Sequence, residues 1–546
     1  MMSERTSGVG AVSRRSDTRV SRYLPMVCGL FAFVLVWALW GSLAQPAFSN
    51  DESAYLLQAR IFAGGRLVGA ARPLPEFFQQ YHVFVTPVLA AKYPPGHSLF
   101  MVPGVWVGLP ALMPALLVAV TAAALCSILI RFTNAVTAIL GVCLATTSDI
   151  ALRFNPSYFS EVSTAALFMV AWWSLLEYER FDKRRWLLLC AGAVAWGGIT
   201  RPLTMLAFAI PAGIAALVVI SRRRAWGDIL PALGVAAPIL LFMFAWNSRV
   251  VGDWRRMPHT EYARLYMPSD RLGFGANPTP PAGHLSDEQQ NADRSLRRLH
   301  AAYTPGSLRA AAEARAANLL RGSYSYGGLP GLAVLFGAAF LPIWFSRVLI
   351  ATIITVFSSH LAYAHDPEWT LYYLELQAPL ALLTAAGLYA LSQALAISVA
   401  KRWRFSENAR RVLWRIPFTI MATCLLVAAA RRIQPYRVAH SSRGAYQLQF
   451  ARAIATLPPS PSIVFVRYAA GHGEERLVEN VPDLDAARTW IVHDCGDENS
   501  RLLALTPTRT PYLYRETVEN GRYMLHLEPL DTSRSGAALF PSKPTC

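Results

Sequence analysis

The sequence predicts an α-helical polytopic membrane protein with a small α/β domain at its C-terminal end. Of its 546 residues, 54% are hydrophobic and only 16% are charged. The apolar residues gather in long blocks, and a block of about 20 residues is what a helix needs to cross the hydrocarbon of a bilayer. Because backbone groups inside a bilayer must be hydrogen-bonded within their own segment, we expect these blocks to be helices.

Eleven apolar segments are predicted to cross the membrane. They lie near residues 24–46, 111–131, 134–149, 161–177, 186–199, 203–220, 228–250, 329–345, 347–363, 371–395 and 413–430. The chain then divides into a cytoplasmic basic arm, a transmembrane domain with two large external loops, and an external α/β domain. These parts cover residues 1–23, residues 24–430 with loops 47–110 and 251–328, and residues 431–546.

The distribution of arginine and lysine predicts which side of the membrane each loop occupies. Short loops on the side of the N terminus are rich in cations, whereas the opposite short loops hold little beyond Arg153 and Arg201. By the positive-inside rule, both large loops and the tail are predicted to lie outside the cytoplasm. We expect the membrane to be the inner (cytoplasmic) membrane, with these parts on its periplasmic side. Arg431 and Arg432 run against this pattern, because they follow the eleventh segment on the side predicted to be external.

The formal charge of +17 does not predict a nucleic-acid partner. Many of the arginines stand directly beside apolar segments, where they act as topology signals and contact the headgroups of membrane lipid. Five of the seven cysteines fall inside apolar runs without the spacing of metal ligands. Cys495 and Cys546 could meet outside the membrane, and the sequence leaves open whether they form a disulfide.

The tail shows the alternation of strands and helices that is typical of a small α/β domain. Its strands are predicted near residues 462–468, 490–495, 512–515 and 523–527, and its helices near 443–456 and 498–505. The sequence contains no repeat of fixed period, no phosphate-binding glycine loop and no zinc pattern. A function must therefore be sought in individual polar residues.

Asp51 and Glu52 stand together at the outer end of the first segment, where adjacent carboxylates at a membrane boundary need an explanation. One explanation is structural, because Asn50 can cap a helix over residues 50–62 and acidic residues in its first turn complement the helix dipole. The other explanation is catalysis by the two carboxylates. The residues by themselves leave both explanations open.

Further polar residues fall on the same predicted face of the membrane. Lys92 lies in a rigid Pro- and Gly-containing turn, Glu161 begins the fourth segment, Arg201 occupies the turn after the fifth, and His365 precedes the tenth. Each has a structural explanation of its own, such as a headgroup contact or a helix-dipole contact. Independent accidents would scatter across both faces, so this convergence favours a functional site.

Three short motifs carry a resemblance to a known family. They are Asn50-Asp51-Glu52-Ser53-Ala54-Tyr55, followed by Ala63-Gly64-Gly65-Arg66-Leu67, and Lys92-Tyr93-Pro94-Pro95-Gly96. They resemble the C-type glycosyltransferase superfamily (GT-C fold), which includes the protein O-mannosyltransferases and the lipid A aminoarabinose transferases. The similarity is strongest over residues 20–110, whereas the tail looks like that of poorly characterised bacterial members.

The resemblance implies a membrane glycosyltransferase that takes a sugar from a polyprenyl-phosphate donor to an envelope glycan, lipid or protein. It implies that Asp51 matches the acidic residue assigned to catalysis, with Glu52 as its partner and Glu161 as a second acidic residue. Lys92 is expected near the donor phosphate. The other residues that we predict to bind substrate are Tyr55, Tyr93, Arg201 and His365.

The chemistry that these residues suit is a direct displacement at the anomeric carbon. Asp51 is the candidate general base for the acceptor hydroxyl, and Lys92, assisted by Arg201, is the candidate for neutralising the leaving phosphate. A single displacement predicts inversion at the sugar. Glu52 and Glu161 could instead hold a divalent metal ion through hard oxygen ligands, so the sequence leaves the need for a metal open.

Two other classes of protein compete with this hypothesis. A multi-pass membrane transporter is disfavoured, because the segments show no obvious inverted repeat and few ionisable residues in mid-membrane. A non-catalytic envelope-assembly scaffold is excluded by no residue, although intact carboxylates argue the other way.

We expect the tail from about residue 436 to lie outside the cytoplasm, because the arginine asymmetry fixes the parity of the segments. A reporter enzyme that is active only outside the cytoplasm, fused after Pro544, should therefore be active. Activity of a reporter that works only inside the cytoplasm, at the same fusion point, would overturn the topology and with it the common face of the site.

Overall fold

The computed structural model describes residues 18–325, 328–402, 415–469, 472, 476–519 and 522–530. Within these ranges a helix occupies each of the eleven segments predicted from their apolar composition. Most of the predicted basic arm, residues 1–17, lies outside the described residues, and so does Cys546. Cys495 is disulfide-bonded.

Helices make up most of the described chain, and the strands lie in the first external loop and in the tail. The helices are α1 (Thr18–Trp40), α2 (Asn50–Ala63), α3 (Pro95–Trp106), α4 (Leu112–Phe132), α5 (Ala135–Thr147), α6 (Asp149–Phe154), α7 (Ser160–Phe181), α8 (Arg184–Gly198), α9 (Pro202–Arg223), α10 (Ile229–Val251), α11 (Pro258–Tyr266), α12 (Asp287–Ala302), α13 (Leu308–Ser323), α14 (Gly328–Phe340), α15 (Ile343–His360), α16 (Gln377–Arg402), α17 (Arg415–Ser442), α18 (Ala445–Ala455) and α19 (Asn499–Leu505). Short 3-10 turns lie at Pro75–Phe78, Trp226–Asp228, Pro305–Ser307, Thr370–Leu376 and Gly496–Glu498. The strands are β1 (Val83–Phe84), β2 (Ala90–Ala91), β3 (Ser462–Arg467), β4 (Thr489–His493), β5 (Thr510–Glu519) and β6 (Arg522–Pro529).

The long apolar helices make the chain a multi-pass membrane protein. Among the described residues, six helical stretches are long and apolar enough to cross a membrane, and two further apolar helices are shorter. The six are Arg22–Trp40, Leu112–Phe132, Pro202–Arg223, Trp226–Val251, Ile343–His360 and Thr370–Arg402. A total of eleven crossings stays a prediction, because helices such as α7 and α8 carry charged ends or are short.

Helices α14 and α16 approach each other closely through a pair of glycines. A Cβ atom at Gly387 would overlap the carbonyl oxygen of Ala333 and lie 2.7 Å from its carbonyl carbon. A Cβ atom at Gly337 would likewise overlap the carbonyl oxygen of Leu383. Small residues permit such backbone contacts between membrane helices, where packing and not the hydrophobic effect drives association.

The tail forms a four-stranded sheet in the order β4-β3-β5-β6. The central strand β3 is parallel to both β4 and β5, while β6 returns antiparallel to β5. Ile463 and Phe465 of β3 belong to one apolar cluster, and the alternate residues Val464 and Val466 belong to another. This period of two shows that both faces of the sheet are covered.

One face of the sheet packs on α18 and the other packs on the loop over residues 47–110. On the α18 side, Phe450 contacts the ring of Tyr514, with ring centroids 4.5 Å apart. On the loop side, Trp490 of β4 packs edge-on against Phe78, at 5.7 Å. Helix α2 also contributes to the second cluster, through residues that include Leu57. The tail therefore covers α2 and the loop that follows it.

Arg432, which ran against the predicted arginine pattern, has structural partners. It forms an ion pair with Asp149, at the start of α6, and Tyr436 donates a hydrogen bond to the same carboxylate at 2.8 Å. Helix α17 carries Arg432 and Tyr436, and it continues to Ser442 beyond residue 430, where the predicted segment ends. A cation at this point is explained by its local carboxylate partner.

We predict that Gly387→Ala lowers the melting temperature of the detergent-solubilised protein, because the added methyl group must push α14 away. The expected loss in the free energy of unfolding is about 1–3 kcal/mol. The matched control is Gly213→Ala in α9, where a Cβ atom meets nothing within 4 Å. The control should be neutral or slightly stabilising, because alanine is the better helix former. Equal melting temperatures for the two variants would contradict the close crossing.

Candidate active site

The site is built at the N-terminus of α2, which is capped by Ser49 and not by Asn50 as the sequence predicted. The Ser49 hydroxyl accepts a hydrogen bond from the Glu52 main-chain N–H at 3.3 Å, and the Glu52 carboxylate accepts one from the Ser49 N–H at 3.0 Å. This reciprocal pair is a capping box. Asn50 is the first residue of the helix, so capping does not require Asp51.

Glu52 is fully engaged in holding the helix in place. Its carboxylate is 2% exposed and also accepts main-chain hydrogen bonds from Phe48 at 3.2 Å and from Tyr158 at 3.0 Å. Arg443 of the tail lies 3.5 Å away. These contacts tie α2 to the segment before α7 and to the end of α17.

Asp51 points away from these contacts, and both of its partners lie on one carboxylate oxygen. The Tyr93 hydroxyl donates a hydrogen bond to Oδ1, and His82 Nε2 lies 3.6 Å from the same atom. Within the described residues, no hydrogen bond or ion pair to another residue falls on Oδ2. The side chain is 37% exposed, so the carboxylate is partly accessible from solvent.

The protein around Asp51 favours proton uptake. Burial raises the pKa of Asp51, and the hydrogen bond from Tyr93 and the charge of Lys92 oppose this rise without cancelling it. Burial and the charge of Lys92 hold the pKa of His82 well below its usual value, so its imidazole is neutral at physiological pH. Asp51 therefore has a neutral neighbour and a raised proton affinity.

A second group of polar residues lies behind Tyr93. The ring of Tyr55 stacks on that of Tyr93, with centroids 4.5 Å apart, and the Tyr55 hydroxyl donates to Ser160 at 3.0 Å. Arg201 then contacts Ser160 at 3.2 Å and Glu161 at 2.6 Å. The structure thus brings five of the predicted site residues into one network, which runs from Asp51 through Tyr93 and Tyr55 to Glu161 and Arg201.

Arg201 is shared between two buried carboxylates. Besides Glu161, its guanidinium lies 3.3 Å from Glu375, whose side chain is completely buried. The ring of Tyr372 lies 6.0 Å from the guanidinium carbon. A buried charge without a partner costs about 3–5 kcal/mol, so Arg201 is committed to these two acidic side chains.

Gly96 explains why the turn that carries Lys92 and Tyr93 lies against Arg201. A Cβ atom at Gly96 would stand 2.8 Å from the carbonyl oxygen of Ile199 and would overlap the Thr200 hydroxyl. The Gly96 N–H donates to that same carbonyl at 2.8 Å. Because only glycine permits this approach, the start of α3 rests directly on the turn between α8 and α9.

Lys92 is buried and already holds a carboxylate partner. Its ammonium group donates to Asp270 of the second external loop at 2.7 Å, and it lies 5.3 Å from the ring centroids of Tyr93 and Tyr262. Asp270 also accepts from the Tyr363 hydroxyl at 2.8 Å. Burial raises the pKa of Asp270, but the charge of Lys92 outweighs burial and brings this pKa well below its usual value.

His365 lies at the edge of this network. Its Nδ1 is 2.9 Å from the carbonyl oxygen of Asp366, and its Nε2 is 3.3 Å from the Tyr373 hydroxyl. Burial and the charge of Arg315 lower the pKa of His365 to about 4. The ring centroid of Tyr372, which also lies beside Arg201, is 4.7 Å from that of His365.

The two carboxylates proposed as metal ligands have other partners. Glu52 accepts main-chain hydrogen bonds, and Glu161 pairs with Arg201. Among the described residues, no group of three His, Cys, Asp or Glu side chains is arranged to hold a metal ion. Glu52 and Glu161 are therefore employed in ion pairs and hydrogen bonds within the protein.

Comparison with solved structures identifies the fold. The chain is similar to ArnT from Cupriavidus metallidurans in the apo state, with 13% identity, a TM-score of 0.52, and coverage of 95% of this chain and 99% of that chain. The chain has the C-type glycosyltransferase fold. No protein-family model matches the sequence, and comparison with curated proteins gives no match either.

Two further structures with this fold match at lower TM-scores. One is ArnT from Cupriavidus metallidurans bound to undecaprenyl phosphate, with 15% identity, a TM-score of 0.48, and coverage of 93% of this chain and 98% of that chain. The other is the archaeal oligosaccharyltransferase AglB from Archaeoglobus fulgidus in complex with an inhibitory peptide and a dolichol-phosphate, with 11% identity, a TM-score of 0.43, and coverage of 91% and 70%. The assignment of the glycosyltransferase fold rests on the apo structure.

Three polar residues of the site were missed from the sequence. Glu375 had a signal, because an acidic residue inside an apolar segment is rare and usually has a function or a buried partner. His82 and Asp270 had none, since each lies in a large loop among other polar residues. Their place in the site depends on how the two external loops fold together, which no local pattern encodes.

Proposed function

We propose that this protein is a membrane glycosyltransferase that moves a sugar from a polyprenyl-phosphate donor to a hydroxyl group of an envelope glycan, lipid or protein on the periplasmic face. The observation that carries the proposal is the state of Asp51. Its carboxylate has a raised pKa, has both side-chain partners on Oδ1 and is partly exposed. Such a carboxylate suits a general base, and the glycosyltransferase fold supports a sugar-transfer reaction.

Asp51 acts at the acceptor. Its Oδ2 takes the proton of the acceptor hydroxyl while the hydroxyl oxygen forms a bond to the anomeric carbon of the sugar. The bond between that carbon and the phosphate oxygen breaks, and its electron pair leaves with the polyprenyl phosphate. Tyr93 holds Oδ1 throughout, so the carboxylate keeps one orientation. One displacement inverts the anomeric configuration.

Lys92 is the better candidate for the leaving phosphate. An ammonium group has three N–H donors, and Asp270 occupies one of them at 2.7 Å. Arg201, in contrast, already lies between Glu161 and Glu375. We therefore assign phosphate contact to Lys92, and we assign to Arg201 the positioning of Glu161 and Tyr55 beside the sugar. Glu52 holds α2 and does not touch the substrate.

The network around Asp51 favours this function over the two alternatives. A transporter needs polar residues along a path, whereas the polar residues described above gather at one end of the helices around a single open carboxylate. A scaffold has no need for an accessible carboxylate with a raised pKa. Neither alternative explains why, among the described residues, the side-chain partners of Asp51 both lie on Oδ1 and leave the carboxylate partly exposed.

We predict that Asp51→Asn lowers sugar transfer at least about a hundredfold, which is the low end for loss of a general base. The variant should stay folded, because Ser49 and Glu52 form the cap and the amide keeps the size of the side chain. Purified protein is mixed with membranes that supply the acceptor, and transfer is measured from a radiolabelled polyprenyl-phosphate sugar.

The matched control for this variant is Ser49→Ala, which removes the cap and leaves the carboxylate of Asp51 intact. Its expected cost is about 1 kcal/mol of stability, with transfer retained. If Asp51→Asn transfers sugar at the wild-type rate, Asp51 has no part in the reaction. If Ser49→Ala loses transfer as fully as Asp51→Asn, loss of transfer follows any disturbance of the first turn of α2, and the result does not single out Asp51 as the base.

We predict that Tyr93→Phe moves the acid limb of kcat/KM to higher pH. The hydrogen bond from the Tyr93 hydroxyl lowers the pKa of Asp51, so its loss lets burial raise that pKa further. A base must be deprotonated to act, so a higher pKa requires a higher pH for the same fraction of active enzyme. The measurement is the pH dependence of transfer at low donor concentration.

Tyr55→Phe is the control for the pH profile. It keeps a stacked ring and removes a hydroxyl that donates to Ser160 and not to Asp51. Its acid limb should stay at the wild-type pH even if the rate falls. An acid limb of Tyr93→Phe that stays in place or moves to lower pH would remove Asp51 as the titrating base.

A further inference from the structure

The tail reaches the start of α2 with a buried arginine. Arg476, which is 5% exposed, donates to the carbonyl oxygen of Ser49 at 3.1 Å and lies 3.5 Å from the side-chain oxygen of Asn50. Its other terminal nitrogen donates to Glu479 at 3.1 Å. The two residues that immediately precede Asp51 are therefore held by the same guanidinium group.

Glu479 continues this contact along α2. Its carboxylate accepts a hydrogen bond from the Ser53 hydroxyl at 2.7 Å and lies 3.7 Å from Arg60. Burial raises the pKa of Glu479, but the charges of Arg476 and Arg60 outweigh burial and bring this pKa below its usual value. Arg476 and Glu479 thus form a clamp, which spans the first turn of α2 on both sides of Asp51.

The positive charge of Arg476 lies at the N-terminus of α2, where a cation does not stabilise a helix. The N-terminus of a helix carries partial positive charge, so a cation there is disfavoured. Arg443, which lies 3.5 Å from Glu52, adds a second cation at the same end. The helix already has its capping box. Stabilisation of α2 alone therefore does not account for Arg476.

We propose that Arg476 is a positioning residue for sugar transfer, which fixes the first turn of α2 so that Asp51 faces the acceptor. This inference rests on the proposed function of Asp51. The clamp acts on Ser49, Asn50 and Ser53, which enclose Asp51 in the chain, while Tyr93 holds the carboxylate itself. In reactions that need aligned atoms, a shift of about 1 Å costs on the order of a hundredfold in rate.

A second arginine provides a matched control. Arg72, which is 6% exposed, also joins the first external loop to the tail, through the carbonyl oxygens of Val481 at 2.6 Å and Pro482 at 3.2 Å. It makes no hydrogen bond to α2 among those that the structure describes for it. Loss of Arg72 weakens the contact between loop and tail without releasing the first turn of α2.

The experiment compares Arg476→Ala, Arg476→Lys and Arg72→Ala in the full-length protein. We expect kcat to fall about tenfold to a hundredfold in Arg476→Ala, with the donor KM within about twofold of wild type because Lys92 is untouched. Arg476→Lys keeps the charge but loses the forked geometry, so it should recover part of the rate. Arg72→Ala should keep the wild-type kcat.

Two further measurements separate positioning from general damage. In the Asp51→Asn background, Arg476→Ala should cause no further loss of rate, because a positioning residue has nothing left to position. Hydrogen exchange of the main-chain amides of residues 51–55 should increase in Arg476→Ala and stay unchanged in Arg72→Ala. If Arg476→Ala does not fold, the same comparison is made with Arg476→Lys.

Wild-type kcat in a folded Arg476 variant overturns the proposal, and so does an equal loss of kcat in Arg72→Ala. An additive loss in the Asp51→Asn background also overturns it. Failure of the proposed function gives a different result, in which wild-type protein transfers no sugar or Asp51→Asn transfers it normally. Hydrogen exchange then still decides whether Arg476 holds the first turn of α2.

Discussion

The buried carboxylate of Glu52 is the contact on which the arrangement of the site depends. It accepts main-chain hydrogen bonds from Phe48, Ser49 and Tyr158, and it lies beside Arg443. One side chain thereby fixes the link between α1 and α2, the start of α2, the entry to α7 and the end of α17. The adjacent residue, Asp51, is not needed for the cap, and this division of labour makes it available for chemistry.

The sequence predicted the elements better than their assembly. The eleven apolar segments coincide with helices, and the four strands of the tail lie where alternating apolar residues and turns placed them, because these are local signals that periodicity reads directly. The cap was assigned to Asn50 and belongs to Ser49, an error of one residue that local patterns do not resolve. The crossing at Gly387 and the docking of the tail on α2 depend on distant segments, which no local pattern indicates.

The grouping of the candidate residues was predicted in part for the same reason, and their roles stay predictions. Asp51, Tyr55, Tyr93, Glu161 and Arg201 come together as one network, since each stands at the same end of a helix or in the turn beside it. The sequence could not show that Lys92 has Asp270 as a partner, or that Arg201 is shared with Glu375. Both carboxylates arrive from remote parts of the chain, and they change how much positive charge is left for a phosphate.

In the proposed reaction, the arrangement of charges links the donor to the strength of the base. In the free protein, the positive charge of Lys92 lowers the pKa of Asp51 and works against the effect of burial. A phosphate that pairs with Lys92 neutralises that charge and brings negative charge of its own towards the site. Both changes disfavour the ionised carboxylate, so Asp51 binds a proton more tightly when the donor is present. Lys92 thus couples the two halves of the proposed reaction, since the cation that contacts the leaving group also adjusts the residue that takes the proton.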